Sequence, residues 1–201
     1  FLKPQDLQDG LEITRQVAAA LFQETGSLYK GVMYGGFIAT KDGVKLLEYN
    51  ARFGDPEAMN ILPLLKTDFV DVCRHIIAGT LDQIKIEFDR KATVCKYVVP
   101  KGYGLPADHP DAASSRAKIE VGNVGRARLY YSSVDQKDDG LYLSSSRAIG
   151  IVGIADHLAD ARKIAEEGVK AVKGPVAYRE DIGTDALIQK RIDHMKTVRK
   201  E

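Results

Sequence analysis

Apolar and polar residues alternate clearly in the second of two strand-like segments near the start of the chain. Residues two apart in an extended segment share a face. Glu48, Asn50 and, if the strand extends that far, Arg52 are therefore predicted to lie on one side. Leu47 and Tyr49 are predicted to lie on the other side. The pattern predicts one wall of a site that carries a carboxylate, an amide oxygen and a guanidinium.

The residues before this strand are predicted to form a helix and the first arm of a hairpin. An apolar stripe of helical period predicts a helix over residues 6–25, which Gly26 ends. Strand-like segments follow at 29–40 and 44–49, and the turn signal between them predicts an antiparallel hairpin. The strand with the three polar residues is then the second arm of that hairpin.

The rest of the chain predicts a mixed helix and strand fold. Asp55 as the N-cap, Pro56 at the first helical position and Glu57 in the first turn are typical of a helix start. A second helix is expected to open at Thr67-Asp68 and to end near Gly79. Later strands are predicted at 93–99, 118–121, 127–134, 141–144 and 148–155, with helices from about 158 and over 184–198.

The change from helices to strands predicts a boundary near residue 89. The fold class is therefore predicted as α+β, with one domain over residues 1–89 and a small α+β domain over residues 90–201. Near the carboxyl end, Arg179 and Asp181 are interpreted as an ion pair or cap that fixes the last helix, with Gly183 as the turn and Thr184 as the cap.

The polar face of the hairpin suits a magnesium-bound polyphosphate. Mg²⁺ takes one or two protein oxygens, keeps waters and fills its other positions with phosphate oxygens. Glu48 and Asn50 supply two such oxygens, and Arg52 can donate a forked pair of hydrogen bonds to a phosphate. An isolated pattern of this kind also fits a solvated edge strand, so both interpretations stay open at this point.

The net charge, the apolar runs and the cysteine spacing limit the kinds of partner and location that the sequence predicts. The chain has 201 residues and a net charge of +1, which gives no electrostatic reason to expect nucleic acid or an anionic membrane as a partner. No apolar run approaches the ~20 residues of a membrane helix, and no signal peptide is visible. A soluble, cytoplasmic protein is expected. Cys73 and Cys95 have neither zinc spacing nor a disulfide-scaffold density and are interpreted as small buried apolar residues.

The segment from Leu47 to Glu57, Leu-Glu-Tyr-Asn-Ala-Arg-Phe-Gly-Asp-Pro-Glu, resembles the metal-binding signature of the phosphoribosylamine–glycine ligases, a family of ATP-grasp enzymes of purine synthesis. Supporting segments are Tyr29 to Gly36, Lys101-Gly102-Tyr103 and Arg179 to Gly183. Glu-x-Asn-x-Arg is widespread among ATP-grasp enzymes, whereas its extension is much narrower. At the Lys101 loop the family usually has Gly-Gly-Tyr-Pro, and this departure leaves a binding role of the loop open.

The resemblance implies the carboxy-terminal half of an ATP-grasp module, followed by the family's carboxy-terminal domain. It implies Mg²⁺ or Mn²⁺ on Glu48 and Asn50, with Arg52 as catalytic and ATP-binding residue. ATP, glycine and 5-phosphoribosylamine are the implied substrates, and the products are glycinamide ribonucleotide, ADP and phosphate, formed through glycyl phosphate. Family members are about twice this long, so the amino-terminal half is an expected partner and the chain alone is expected to be inactive. A second strand carboxylate, frequent in ATP-grasp enzymes, has no counterpart from Ser27 through Thr40.

Two other interpretations remain open. The first is a fragment of another ATP-grasp ligase or carboxylase, which a bicarbonate-dependent rather than glycine-dependent release of ADP would reveal. The second is a non-catalytic interaction domain that retains the fold, for which Glu48 and Asn50 would be dispensable.

Overall fold

The computed structural model describes residues 2–106, 108–109 and 116–200, and these fall into two compact units. Unit 1 comprises residues 1–58, 65–88 and 188–201, and unit 2 comprises residues 59–64 and 89–187. The last fourteen residues thus cluster with the first unit. The division into sequence domains at residue 89 stays a prediction.

The described elements are helices and short antiparallel strands. The helices are α1 (Pro4–Thr25), α2 (Glu57–Ile61), α3 (Phe69–Ala78), α4 (Leu158–Val169) and α5 (Asp185–Arg199). The strands are β1 (Tyr34–Thr40), β2 (Gly43–Asn50), β3 (Ala92–Pro100), β4 (Lys118–Val121), β5 (Arg128–Tyr131), β6 (Val134–Lys137), β7 (Gly140–Leu143), β8 (Ile149–Ala155), β9 (Val172–Lys173) and β10 (Val176–Ala177). Short 3₁₀ turns occupy Leu62–Leu64 and Leu81–Gln83. The structure confirms the predicted α+β class.

Three sheets organise these strands. β1 and β2 pair as an antiparallel hairpin in unit 1. In unit 2 one four-stranded sheet has the order β10-β3-β8-β5 and another has the order β6-β7-β4-β9. Apolar residues of β3, β8 and α4 make most of the buried core, for example Val98, Ile151 and Ala165, which are each 0% exposed. The almost wholly apolar segment that predicted β8 is thus a central strand, covered by α4.

Some element bounds differ from the sequence-based prediction. The first arm of the hairpin begins at Tyr34 rather than at residue 29, and the strand expected over 127–134 is two strands, β5 and β6. The start of α3 is as predicted, since the Asp68 carboxylate accepts hydrogen bonds from the backbone N–H groups of Val70 and Asp71. No described helix is both long and apolar enough to cross a lipid bilayer.

Among the described residues of unit 2, the side chain of Lys96 on β3 is a charged group with 0% exposure. Its Nζ lies 2.7 Å from a carboxylate oxygen of Glu166 and donates hydrogen bonds to the carbonyl oxygens of Arg179 and Glu180, at 3.1 and 2.9 Å. The Tyr178 hydroxyl donates to the other Glu166 oxygen at 2.9 Å. A buried ion needs such a set of partners. The cluster therefore fastens the segment before α5 to the sheet.

Candidate metal and phosphate site

The hairpin register places Glu48 and Asn50 on the same face, as predicted. Glu48 pairs with Gly36 and Asn50 pairs with Tyr34 across the two strands. The Asn50 Nδ2 donates a hydrogen bond of 3.1 Å to Glu48 Oε1, so the ends of the two side chains lie together. Because Gly36 has no side chain, the space above Glu48 on this face is not filled from the neighbouring strand.

The hairpin is irregular next to Glu48. Gly36 pairs with Glu48 but Phe37 pairs with Leu46, so Leu47 has no partner on β1. An extra residue of this kind breaks the two-residue alternation of a strand. Tyr49 packs edge-on against Phe37, and its hydroxyl lies 2.7 Å from the Thr14 hydroxyl of α1. Leu47 instead is 66% exposed, whereas Tyr49 is partly buried.

Arg52 lies beyond the end of the strand. β2 ends at Asn50, and Arg52 belongs to the bend that follows. Its Nη1 donates a hydrogen bond of 2.7 Å to the carbonyl oxygen of Phe53, and the residue is exposed. The guanidinium is held against its own loop, and one of its donors is already in use. The strand therefore positions two of the three predicted site residues, and the loop positions the third.

The Tyr34 hydroxyl lies near these groups, and sequence reasoning did not select it. Burial, a hydrogen bond to Glu57 and the charges of Glu57 and Glu48 raise the pKa of Tyr34, whereas the charge of Arg52 lowers it. All three charged groups therefore lie within electrostatic reach of one hydroxyl. The available signal was a tyrosine opposite Asn50 on the paired strand, but this signal can be recognised only when the pairing register of the two strands is known.

Gly54 is buried and lies next to Tyr34 and Glu57. A Cβ atom on Gly54 would overlap a carboxylate oxygen of Glu57 and would lie 2.8 Å from Cε2 of the Tyr34 ring. The close approach explains why the loop after β2 has glycine at this position. Glu57 was selected from sequence only as a first-turn acid, and the structure adds its contact with Tyr34.

The expected helix start after the loop needs one correction. α2 begins at Glu57, and the Asp55–Pro56 peptide bond is cis. Pro56 therefore precedes the helix and is not its first residue. The backbone N–H of Ala58 donates to the carbonyl oxygen of Gly54 at 2.9 Å, so the first turn is hydrogen-bonded back to the loop.

The donor set fits a hard divalent cation. Glu48 and Asn50 offer two oxygen donors on adjacent side chains that already contact each other. Mg²⁺ prefers few protein oxygens and completes its shell with water and phosphate. Among the described residues no group of three or more His, Cys, Asp and Glu side chains could hold a metal ion. A cation at this face would therefore need ligands from outside the set, as a nucleotide-bound ion does.

Two further segments that the sequence analysis selected, at Arg179 to Thr184 and at Lys101, have local structural roles. The Arg179 guanidinium donates two hydrogen bonds to Asp181, at 3.0 and 2.7 Å. Gly183 adopts a positive φ of 80°, and the Thr184 hydroxyl accepts from the backbone N–H of Leu187. The predicted ion pair, turn and cap are all present. Lys101 begins a turn and donates its backbone N–H to the Pro175 carbonyl at 2.8 Å.

Comparison with known proteins gives consistent matches. The model of the phosphoribosylglycinamide synthetase ATP-grasp (A) domain matches residues 1–58, and that of the C domain of the same synthetase matches residues 93–185. A phosphoribosylamine–glycine ligase of Methanocella arvoryzae is 49% identical over 99% of this chain, and one of Methanocaldococcus jannaschii is 46% identical over all of it. The chain spans 45% and 44% of these two relatives.

Solved structures agree at the level of the fold. A phosphoribosylamine–glycine ligase of Thermotoga maritima superposes with a TM-score of 0.70 at 23% identity, over 90% of this chain and 44% of that one. A urea amidolyase of K. lactis superposes with a TM-score of 0.53 at 19% identity, over 81% of this chain and 10% of that one. With both family models matched in order along the sequence, the chain belongs to the phosphoribosylglycinamide synthetase family of ATP-grasp proteins.

Proposed function

We propose that this chain is the part of a phosphoribosylamine–glycine ligase that carries the metal-binding strand. The whole ligase joins glycine to 5-phosphoribosylamine with ATP and gives glycinamide ribonucleotide, ADP and phosphate. Support comes from the two family models and from relatives with that name. The chain spans about 45% of those relatives, so the reaction is assigned to the longer protein of which it forms a part. A cytoplasmic location belongs to the same proposal.

The hydrogen-bonded pair of Glu48 and Asn50 is the observation that carries the proposal. These residues would hold Mg²⁺ or Mn²⁺, which would supply positive charge to neutralise part of the charge of the ATP phosphates. The neutral amide of Asn50 limits the negative charge at the site, so that polyphosphate is not repelled. The contact brings together the two oxygen-bearing side chains that the family signature predicts as ligands.

Arg52 is proposed to neutralise charge on the transferred phosphoryl group. Its guanidinium now donates to the carbonyl oxygen of Phe53, which leaves other N–H donors for a phosphate. The Tyr34 hydroxyl lies in the electrostatic environment that Glu48, Arg52 and Glu57 share. We assign Tyr34 and Glu57 to positioning of the loop that carries Arg52, and not to chemistry.

The proposed reaction has two steps. A carboxylate is a poor acylating agent, so the glycine carboxylate first takes the γ-phosphoryl group of ATP to give glycyl phosphate and ADP. The amine of phosphoribosylamine then attacks the acyl carbon and releases phosphate, which forms the amide. Positioning and charge neutralisation are the main contributions of protein groups to phosphoryl transfer.

A chimera tests the assignment of Glu48 and Asn50. In it, this chain replaces the matched 199 residues of the M. arvoryzae ligase. Glu48→Ala and Asn50→Ala should each lower turnover by a factor of about 10² to 10³, the usual effect of losing one preorganised electrostatic contact. Lys41→Ala, an exposed change at the other end of the same hairpin, is the control. Normal turnover of Glu48→Ala at ordinary magnesium concentrations would refute the assignment.

The chain alone is proposed to have no ligase activity and to bind Mg-ATP weakly at best. One strand and one loop supply only part of a nucleotide site, because each of their few contacts must also overcome the entropy of association. Isothermal titration calorimetry of the chain with Mg-ATP measures this. Micromolar affinity would contradict the proposal.

A related carboxylase is the nearest rival, and the substrate dependence of ADP release separates the two. In the chimera, ADP release should require glycine and should not respond to bicarbonate. A non-catalytic interaction domain is the more distant rival. For that class, Glu48→Ala and Asn50→Ala would leave every function of the assembled protein unchanged.

A further inference from the structure

The bulge in the β1–β2 hairpin changes the face on which part of β2 presents its side chains. On β1 the neighbours Gly36 and Phe37 face opposite sides of the hairpin. They pair with Glu48 and Leu46, and Leu47 is the extra residue between these two pairs. The residues of β2 before Leu47 therefore alternate in the opposite sense from the residues after it.

This shift places Lys45 on the same face as the proposed metal ligands. Lys45 pairs with Ile38, whereas Glu48 pairs with Gly36, two residues earlier on β1. Ile38 and Gly36 share a face because they are two residues apart. Their partners Lys45 and Glu48 therefore share that face as well. An uninterrupted alternation along β2 would have put these two side chains on opposite faces.

The surroundings of the other hairpin side chains agree with this placement. Phe37, Ala39 and Val44 line a cavity beside α1, so they occupy the face opposite to Glu48. Ile38 is 48% exposed, and Lys45 is exposed as well. The bulge thus turns Val44 toward α1 and turns Lys45 toward the exposed face. Bulges are frequent beside active sites, where they re-aim a side chain.

The order of charges along this face suits a chain of phosphates. A strand rises about 3.3 Å per residue, so the pairs of Lys45 and Glu48 are roughly 7 Å apart along the hairpin. The flexible four-carbon stem of a lysine lets its ammonium group reach toward a ligand held at the next pair. Arg52 follows Asn50 at the other end of the row. The two oxygen ligands therefore lie between two cationic side chains.

We propose that Lys45 binds a phosphate oxygen of ATP on the side of Glu48 away from Arg52. The inference rests on the proposed function for the identity of the nucleotide. Because Arg52 is assigned to the transferred phosphoryl group, Lys45 contacts the phosphates that remain in ADP. Its ammonium group has three N–H donors and a full positive charge for these oxygens. Such a contact is the same before and during phosphoryl transfer, so it contributes affinity and not rate.

Substitutions of Lys45 in the chimera with the M. arvoryzae ligase test this inference. Lys45→Met removes the charge and keeps a long side chain, whereas Lys45→Arg keeps the charge. Lys41→Met is the matched control, because it removes the same charge from the same hairpin, where the Lys41 Nζ lies 3.8 Å from the Asp42 carboxylate. Isothermal titration calorimetry measures the Kd of Mg-ATP and of Mg-ADP without depending on catalysis. Steady-state kinetics measure kcat and the KM values for ATP and glycine.

Lys45→Met should raise the Kd of both nucleotides by about tenfold or more, the usual effect of losing one hydrogen bond to a charged group. The KM for ATP should rise with it, whereas kcat and the KM for glycine should change by less than about twofold. Lys45→Arg should recover most of the affinity, and Lys41→Met should leave it unchanged.

Three results would overturn the inference. The first is an unchanged Kd for both nucleotides in Lys45→Met, and the second is an equal loss of affinity in the Lys41→Met control. The third is a loss of affinity for Mg-ATP alone, or a higher KM for glycine in place of ATP, because Lys45 would then contact a different group. Since Lys45 is exposed, the thermal midpoint of each variant should equal that of the unsubstituted chimera. Lys45→Gln repeats the measurement if Lys45→Met lowers that midpoint.

Ligation by the unsubstituted chimera separates this inference from the proposed function. Nucleotide affinity that depends on Lys45, without any glycine-dependent release of ADP, would support the inference and would contradict the ligase proposal. Ligation of glycine with nucleotide affinities that do not respond to Lys45→Met would do the reverse. A chimera that binds neither Mg-ATP nor Mg-ADP would contradict both.

Discussion

At the scale of single residues, Gly54 is packed so closely that an alanine at this position is expected to destabilise the site. Gly54→Ala would add a Cβ atom 2.8 Å from the Tyr34 ring and against the Glu57 carboxylate, so the loop or the ring must move. Overpacking of this kind costs about 1–3 kcal/mol. Chemical unfolding of the chain should show this loss, and the chimera should lose turnover as Arg52 is displaced.

Gly36→Ala is the matched control for this substitution. Its added Cβ would lie 3.5 Å from Cγ of Glu48, which is an ordinary contact, and alanine is favoured over glycine within a strand by about 0.5–1 kcal/mol. Unchanged or slightly higher stability is expected. Equal losses for both variants would mean that Gly54 is not closely packed.

A second prediction at the residue scale concerns the buried cluster around Lys96. Burial and the hydrogen bond to Glu166 raise the pKa of Tyr178 to about 12, from an ordinary value of 10.0. The folded state then retains the tyrosine proton at a pH where the unfolded chain loses it. The resulting stability is fully present below pH 10 and is lost as the pH rises through about 12.

Urea unfolding at pH 9 and pH 11.5 measures this effect against Tyr178→Phe. The wild-type chain should lose up to about 2 kcal/mol more than the variant over this interval, since one pKa unit corresponds to about 1.4 kcal/mol. Parallel losses in the two proteins would show that another group dominates the alkaline transition.

At the scale of elements, the irregular pairing of β2 decides which of its side chains stabilise the hairpin. Leu47→Ser should change the free energy of unfolding by less than about 0.5 kcal/mol, because the side chain is 66% exposed. Tyr49→Ala should cost about 2–3 kcal/mol, because it removes the Phe37 contact and the hydrogen bond to Thr14. Guanidinium unfolding of both variants tests the difference. A larger loss for Leu47→Ser than for Tyr49→Ala would mean that the Leu47 side chain is packed in the folded protein, which would contradict its exposed position.

The same strand shows how far sequence reasoning reaches. Placement of Glu48 and Asn50 on one face follows from a period of two and needs no partner strand. The exposure of Leu47 was out of reach because it depends on a register shift against Gly36 and Phe37, which local pattern does not encode. Tyr34 was missed for a related reason, since its place beside Asn50 appears only once the two strands are paired.

Elsewhere, prediction succeeded where the determinants are local. The Asp68 cap and the Gly183–Thr184 entry to α5 each depend on residues within one turn of a helix. Lys96 was passed over because a lysine within a strand pattern is usually interpreted as exposed. Its partners Glu166 and Tyr178 are distant in sequence, so only the tertiary structure reveals the cluster.

At the scale of the whole molecule, the two units should differ in stability. Among the residues that the structure describes, nearly all of the buried apolar side chains lie in unit 2, most of them on β3, β8 and α4. Amide hydrogens of those elements should exchange only through global unfolding of that unit. Amides of α1, β1 and β2 should exchange through local opening of lower free energy, because few apolar contacts oppose it.

Hydrogen exchange measured by mass spectrometry tests this order in the chain alone. Peptides covering residues 149–155 and 158–169 should be the most protected, and peptides from residues 4–25 should exchange at least about tenfold faster, which corresponds to about 1.4 kcal/mol of opening free energy. Equal protection of α1 and β8 would show that unit 1 is stable without further packing. A difference that disappears in the chimera, while the protection of β8 stays constant, would mean that unit 1 needs the rest of the ligase to complete its fold.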